Sequence, residues 1–345
     1  MTLSRTLSRL LDPATLSPGA ARATLAELLG ASTSDLERAS VLVALAARDL
    51  AASELAAFAL EMRKRARPFS VPAADRPVDL CGSGGAPRAS FNVSTVSAFV
   101  VAAAGTPVVK HGNRSARGRC GSSDLLEALG LPVTTSVPFA RSSYRRFRLA
   151  FLHAPLYHPA TRSVAEARRR LGIPTLFNRL GPLSNPARVP YQVVGVPDLA
   201  TARQVVSALP ALGVRRGVAM TSDEGCDEFS PRSETTAVVW DGSARRTMRV
   251  RPSRYLLPED RRGDWGALPP PAAAAEAERI LAGGGGARRG SVLLTSGTAI
   301  WVAGRASTLA RGVALAREAL DDGRAERLLE GLRGLAAGYR EAASA

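Results

Sequence analysis

VDLCGSGGAPRASFNVSTVSAFVVAAAGTPVVK, residues 78–110, reads as strand, glycine-rich turn, helix and second strand in immediate succession. Val78 to Cys81 is a brief strand-like run, apolar apart from Asp79 and followed by glycines, Thr95 to Ala104 continues as an apolar helix, and Pro107 to Lys110 is strand-like again. The alternation persists downstream. Further strand candidates are Leu149 to Leu152, Tyr191 to Gly195, Arg216 to Met220, Thr235 to Trp240 and Ser291 to Leu294, with helical patterns such as Ser122 to Leu129 and Leu199 to Leu212 between them. Strand–helix alternation sustained over about 250 residues predicts an α/β fold whose mainly parallel sheet is covered by helices on both faces. Leu268 to Ala287, rich in Pro, Ala and Gly, reads as a surface connection around one helix.

Upstream, residues 1 to about 68 read as wholly helical: Ala20 to Leu29, Ser34 to Leu50 and Ala52 to Arg65 carry apolar residues at helical spacing. Ser34 and Ser53 stand at helix starts with a glutamate soon after, as N-terminal caps do. Pro68, Pro72 and Pro77 then end the helical texture. No internal repeat is visible.

Composition narrows the class. The chain has 345 residues, 46% of them hydrophobic and 22% charged, an ordinary globular balance. No apolar run approaches the roughly 20 residues of a membrane span, and the N-terminus carries no targeting pattern, so a soluble cytoplasmic protein is expected. Cys81, Cys120 and Cys226 form no CxxC pair, which argues against a disulfide framework or a zinc site. The net charge of +16 would suit a polyanionic partner, but all basic residues except Lys64 and Lys110 are arginine and they are spread along the chain. That skew reads as a bias of composition, and nucleic-acid binding is not expected.

Four clusters concentrate chemistry. Asp79-Leu-Cys-Gly-Ser-Gly-Gly-Ala86 follows a strand, and Ser90-Phe-Asn-Val-Ser-Thr95 opens the next helix. Glycines let backbone N–H groups approach a ligand, and a helix start suits phosphate oxygens. Alone, such a loop fits a structural turn equally well. Lys110-His-Gly-Asn-Arg-Ser115 gathers one of two lysines, one of three histidines and one of four asparagines, a polar set that a solvated loop of this arginine-rich chain would not select. Phe151 to Pro159 holds His153, read as structural, and His158, read as an exposed imidazole at a strand-to-helix turn. Beyond it, one arginine of Arg168-Arg-Arg170 is suited to a carboxylate while two face solvent. Asp223 to Ser230 sets adjacent carboxylates on a loop, which fits Mg²⁺ carried by a diphosphate or an acidic surface loop.

In this order the clusters resemble the anthranilate phosphoribosyltransferase family, which shares its fold with the pyrimidine nucleoside phosphorylases. The match runs through CGSGGAPRASFNVSTVSAF, KHGNRS, GSSDLLEALG, FLHAPLYHPA, FNRLGPLSNPA and GCDEFS to LARGVALAREALDDGRA. KHGNRS together with FN-x-LGPL-x-NPA is the specific part. The resemblance implies a small helical domain (1–70, joined by helices around 159–185), a large α/β domain (71–345), an active site in the cleft between them, and a homodimer formed through the helical domains. It implies transfer of a phosphoribosyl group from phosphoribosyl diphosphate to anthranilate. A paralogous transferase with another aromatic acceptor, or a non-catalytic nucleic-acid-binding member of the fold, are the alternatives.

Carried over by position, Lys110, Asn113 and Arg168 are the expected catalytic residues. Gly82, Gly85, Ser90, Asn92, Ser94, Thr95, Lys110, Gly118 and Ser122 are expected to hold the donor. Gly82, His111, Asn113, His158, Arg168 and Gly181 should line the anthranilate path, with Arg168 facing the carboxylate. Ser94, Asp227 and Glu228 should bind Mg²⁺. Ala86 stands where the family often has an aspartate, and Thr161 where a bulkier residue commonly flanks the acceptor.

Overall fold

Seven strands, β1 (Val78–Gly82), β2 (Val108–Gly112), β3 (Leu149–His153), β4 (Tyr191–Gly195), β5 (Arg216–Ser222), β6 (Thr235–Trp240) and β7 (Arg245–Val250), form one sheet in the order β3-β2-β1-β4-β5-β6-β7. The computed structural model describes residues 3–84, 86–115 and 120–344. From β3 to β5 neighbouring strands run parallel, as the alternation predicts, whereas β5–β6 and β6–β7 are antiparallel. β7 was not anticipated. Its face pattern is masked by arginines, which an edge strand tolerates because one side meets water.

Strands β1 to β6 are mostly buried, as expected of a sheet covered on both faces, and only the edge strand β7 is largely exposed. One face packs against helices Val93–Ala103, Pro270–Leu281, Ala287–Val302, Leu309–Asp321 and the last helix, through Phe99, Val193, Leu293, Ile300 and Val313. The other face is covered by Leu199–Ala208 and the N-terminal helices, whose core joins Leu25, Leu42 and Phe58 to Val194 and Val206. Val164, Leu176 and Leu180 also enter that core, so helices Arg162–Leu171 and Leu176–Leu183 pack with the N-terminal bundle.

Local rules explain most boundaries. Ser34 caps Asp35–Ala46: its hydroxyl accepts from Glu37 N while the Glu37 carboxylate accepts from Ser34 N at 2.7 Å. Ser53 is not a cap. The helix begins one residue before it, and Glu54 accepts the Ala51 N–H at 2.6 Å. Ser291 to Leu294 is not a strand but the middle of Ala287–Val302, a helix buried on every side. With no polar face to set a period, a short apolar run is ambiguous between the two states. Arg63 ties the helical bundle to the larger lobe, donating to the Leu183 and Leu212 carbonyls, each at 2.8 Å. Among the described residues, no helix is long and apolar enough to cross a membrane.

Candidate active site

Connections from β1 run outward through β2 to β3, and those from β4 run the opposite way through β5. The order therefore reverses between β1 and β4, and ligands of open parallel sheets collect at the carboxyl ends of such strands. At that point Gly82 ends β1 opposite Gly195, the last residue of β4. Both are glycine for a steric reason. A Cβ on Gly82 would sit 2.9 Å from Asp227 Oδ2, and one on Gly195 would sit 1.7 Å from the Asp227 carbonyl oxygen. The chain after β5 thus folds back over the two strand ends and carries Asp227 and Glu228 into the crevice.

Asp227 Oδ2 accepts the Gly84 N–H at 3.3 Å, and Glu228 Oε1 accepts the Ser94 N–H at 3.2 Å, in the first turn of Val93–Ala103. Glu228 is buried and its Oε2 has no hydrogen-bond partner. Burial, reinforced by the Asp227 charge, pushes the Glu228 carboxyl up to about 8, and burial also raises Asp227. Two adjacent carboxylates held so are a site short of positive charge. Among the described residues no cluster of three or more His, Cys, Asp or Glu is placed to hold a metal.

Lys110 lies on the neighbouring strand, buried, with Nζ donating to the Leu80 carbonyl and, at 3.2 Å, to Ser94 Oγ. An ammonium has three donors, and these bonds commit two of them. Asn92 precedes the helix and donates to the Cys120 carbonyl at 3.1 Å. Ser122 donates to the Asn113 carbonyl at 3.0 Å, and Asp124 accepts from Ser115 N and Gly121 N on either side of the loop. Thr95 is buried, Asn113 is exposed, and Ser90 is half-buried in a bridge to Gly266. Gly85 and Gly118 lie outside the described residues.

A second group faces the helical bundle. His111 Nδ1 lies 3.2 Å from the Gly181 carbonyl, which can only accept, so Nδ1 carries the proton and Nε2 is left without a partner. The His111 and His158 rings stand 4.9 Å apart. His158 is buried, correcting the exposed imidazole expected from its turn: it closes helix Ala154–Tyr157, with its backbone N–H on the Ala154 carbonyl and its ring against His111. His153 is structural, with Nδ1 2.8 Å from Ser123 Oγ. Arg168 is half-buried with its guanidinium 5.0 Å from the Phe177 ring centroid, while Arg169 and Arg170 are exposed. Phe177 and Gly181 are one helical turn apart on Leu176–Leu183, so Arg168 and His111 attend the same helix.

Burial pulls the His158 pKa down to about 4 and His111 in the same direction. The unfolded chain therefore binds the extra proton between about pH 6.5 and 4, and His158 stability is lost as pH falls through that window. His158→Leu is expected to remove up to about 3 kcal/mol of the acid-side decline. Urea midpoints of both proteins at pH 7 and pH 4.5 check this; parallel declines would contradict it.

Residues 74–326 match the glycosyl transferase family a/b domain, and residues 4–66 match the helical bundle domain of the glycosyl transferase family. The anthranilate phosphoribosyltransferase of Desulfitobacterium hafniense is 37% identical over 307 residues, covering 89% of this chain and 91% of the relative. That of Geobacillus kaustophilus is 36% identical over 333 residues, 96% of this chain and 97% of the relative. The chain belongs to the anthranilate phosphoribosyltransferase family. The crystal structure of the Thermus thermophilus anthranilate phosphoribosyltransferase superposes with a TM-score of 0.88 at 34% identity, over 96% of this chain and 99% of that one. The Saccharomyces cerevisiae enzyme in complex with PRPP and Mg gives 0.83 at 25% identity, over 97% and 98%.

As a member of the anthranilate phosphoribosyltransferase family the chain is an enzyme, a transferase. Three residues of its crevice escaped the sequence reading. Gly195 was seen only as a strand end; Asp79 and Asn185, both buried, were seen only as motif letters. Asn185 carried the same signal that singled out Asn113, being one of four asparagines in the chain.

Proposed function

We propose that the crevice at the carboxyl ends of β1, β2 and β4 holds 5-phosphoribosyl 1-diphosphate, and that the His111–His158–Gly181–Arg168 face presents anthranilate to it. The products are N-(5-phosphoribosyl)anthranilate and diphosphate. The observation that carries this reading is the buried Asp227–Glu228 pair beside a helix start, with Glu228 Oε2 unbonded and both carboxyls raised toward neutrality. This donor set fits Mg²⁺, which takes oxygen ligands and typically one or two carboxylates alongside substrate phosphates. Asp227, Glu228 and Ser94 Oγ would hold it, and when bound it supplies charge neutralisation to the departing diphosphate.

The chain's own groups do the rest. The dipole of helix Val93–Ala103 favours phosphate oxygens at its start, where the Gly84 and Ser94 N–H groups, held by Asp227 and Glu228, would become donors to phosphate if those carboxylates turned to a metal. Lys110 places a buried positive charge between the loop and Ser94, where negative charge develops on the leaving group. The acceptor is an aromatic amine, nucleophilic once desolvated, so neutral His111 and His158 shape and dry its path without acting as strong bases. Arg168, over the Phe177 ring, reads the acceptor carboxylate with a planar fork. The helical bundle, completed by the helices around 159–185, closes the acceptor side. Exposed Leu11, Leu36 and Val43 on that bundle support a homodimer through it.

Incubating the protein with Mg²⁺, phosphoribosyl diphosphate and anthranilate, and following loss of anthranilate fluorescence, tests the reaction. Turnover is expected, and a folded protein without turnover would reject it. Arg168→Ala is expected to raise the anthranilate KM about 10- to 100-fold, the worth of one charge-assisted pair, and leave the donor KM within about twofold. The reverse split would place Arg168 elsewhere.

A further inference from the structure

β1 and β2 are neighbours in the sheet but barely paired. Their register has one pair, Val78↔Val108, whereas β1–β4 and β2–β3 each have five. Their regular pairing is confined to that position, where Val78 N–H donates to the Pro107 carbonyl at 2.9 Å. Beyond it the strands part, and backbone groups that a continued ladder would join are bonded by side chains instead. Asp79 Oδ1 accepts the His111 N–H at 3.1 Å. Asn185 Nδ2 donates to the Val109 carbonyl and to Asp79 Oδ2, both at 2.8 Å. Lys110 Nζ takes the Leu80 carbonyl. All three side chains are buried: Asp79 and Asn185 at 0% exposure, Lys110 at 3%.

Buried backbone groups cost free energy unless paired, so a sheet that opens internally must supply partners. Here the partners are matched. Both Asp79 oxygens accept, Asn185 donates to one of them, and the Lys110 ammonium offsets the buried carboxylate. The result is a polar wedge in the sheet just below the crevice. It fixes where β2 releases Lys110 and His111 relative to the glycine loop and Ser94.

We propose that Asp79 and Asn185 are positioning residues of the transfer reaction: they prop β1 and β2 apart and so aim Lys110 and His111 into the crevice. This rests on the donor-site reading given above. A residue that merely filled the core would tolerate an isosteric amide at position 79. The wedge would not, because asparagine has one acceptor and its NH₂ must then face either the His111 N–H or the Asn185 NH₂.

Three variants, Asp79→Asn, Asn185→Ala and the exchange Asp79→Asn/Asn185→Asp, test it by site-resolved amide hydrogen exchange and by donor calorimetry with Mg²⁺. In Asp79→Asn the His111 amide should exchange at least tenfold faster while Val108, bonded to the Arg148 carbonyl, keeps its wild-type rate. Donor affinity should fall about 10- to 100-fold, the worth of one or two charge-assisted bonds. The exchanged pair restores an acceptor for His111 and the 79–185 bond but sets a carboxylate oxygen of residue 185 against the Val109 carbonyl, so it should recover part of that loss. Should Asp79→Asn not fold, Asn185→Ala carries the test through a roughly tenfold weaker donor affinity with unchanged Val108 exchange. Unchanged His111 exchange in Asp79→Asn, undiminished donor affinity in a folded Asn185→Ala, or no recovery in the exchanged pair would overturn the proposal. If the wild type ignores the donor, the functional reading fails, while the exchange rates still decide whether the wedge exists.

Discussion

Replacing Asp227 by asparagine and Glu228 by glutamine together is expected to lower kcat/KM about 1,000-fold and to flatten its dependence on Mg²⁺, because charge stabilisation by a metal is worth several kcal/mol. The same double substitution should leave the metal-free protein as stable as the wild type or more so. The two carboxyls are raised by burial and, for Glu228, by the neighbouring charge. Their bonds to Gly84 N and Ser94 N use oxygen acceptors that the amides retain. Neutral isosteres therefore remove repulsion and keep the hydrogen bonds, a pattern seen where a fold accepts local strain for chemistry. Activity against Mg²⁺ concentration and thermal midpoints in chelator measure both halves. Retained metal response, or a large fall in midpoint, would mean that the pair is structural.

Gly195→Ala should do comparable damage from the opposite side. The new Cβ would meet the Asp227 carbonyl oxygen at 1.7 Å and its carbon at 2.7 Å, both backbone atoms that no rotamer change can move. Ser83 N donates to the Gly195 carbonyl at 2.8 Å, so displacing residue 195 disturbs the glycine loop as well. Overpacking of this kind costs about 3 kcal/mol, and the thermal midpoint should fall by about 5 °C. Because the residue displaced is Asp227, Mg²⁺-dependent turnover should drop at least 100-fold even where the protein remains folded. Gly334→Ala, in the last helix with open space around the site, serves as the control and is expected to be neutral or slightly stabilising. Equal effects of the two substitutions would contradict the packing argument.

The sequence was legible where local chemistry sets structure. The alternation from Val78 onward yields the parallel sheet, and the Ser34–Glu37 capping box yields a helix start. It misled where the deciding partner is remote in sequence. Ser291 to Leu294 reads as a strand because nothing local reveals that Ala287–Val302 is enclosed all round. Arg245–Val250 hides as a strand because its arginines find acids elsewhere, Arg249 pairing with Asp223 and Glu234. His158 reads as exposed because its burial depends on groups remote in sequence, among them the His111 ring on β2. The parting of β1 and β2 is the extreme case: Asp79 and Asn185 stand 106 residues apart, and only the fold shows that they share a hydrogen bond. For Asn185 the available signals were the rarity of asparagine and its place in FN-x-LGPL-x-NPA, and neither reveals its partner.

Calorimetric titration of the folded protein with phosphoribosyl diphosphate, with and without Mg²⁺, bears most directly on the claim that the β1–β4 crevice is a phosphoribosyl donor site completed by Asp227 and Glu228. Saturable one-site binding, at least tenfold tighter with Mg²⁺ and losing that gain in the Asp227→Asn/Glu228→Gln variant, is the predicted result. Absence of saturable binding with Mg²⁺ present, or binding indifferent to both the metal and the two carboxylates, would contradict it.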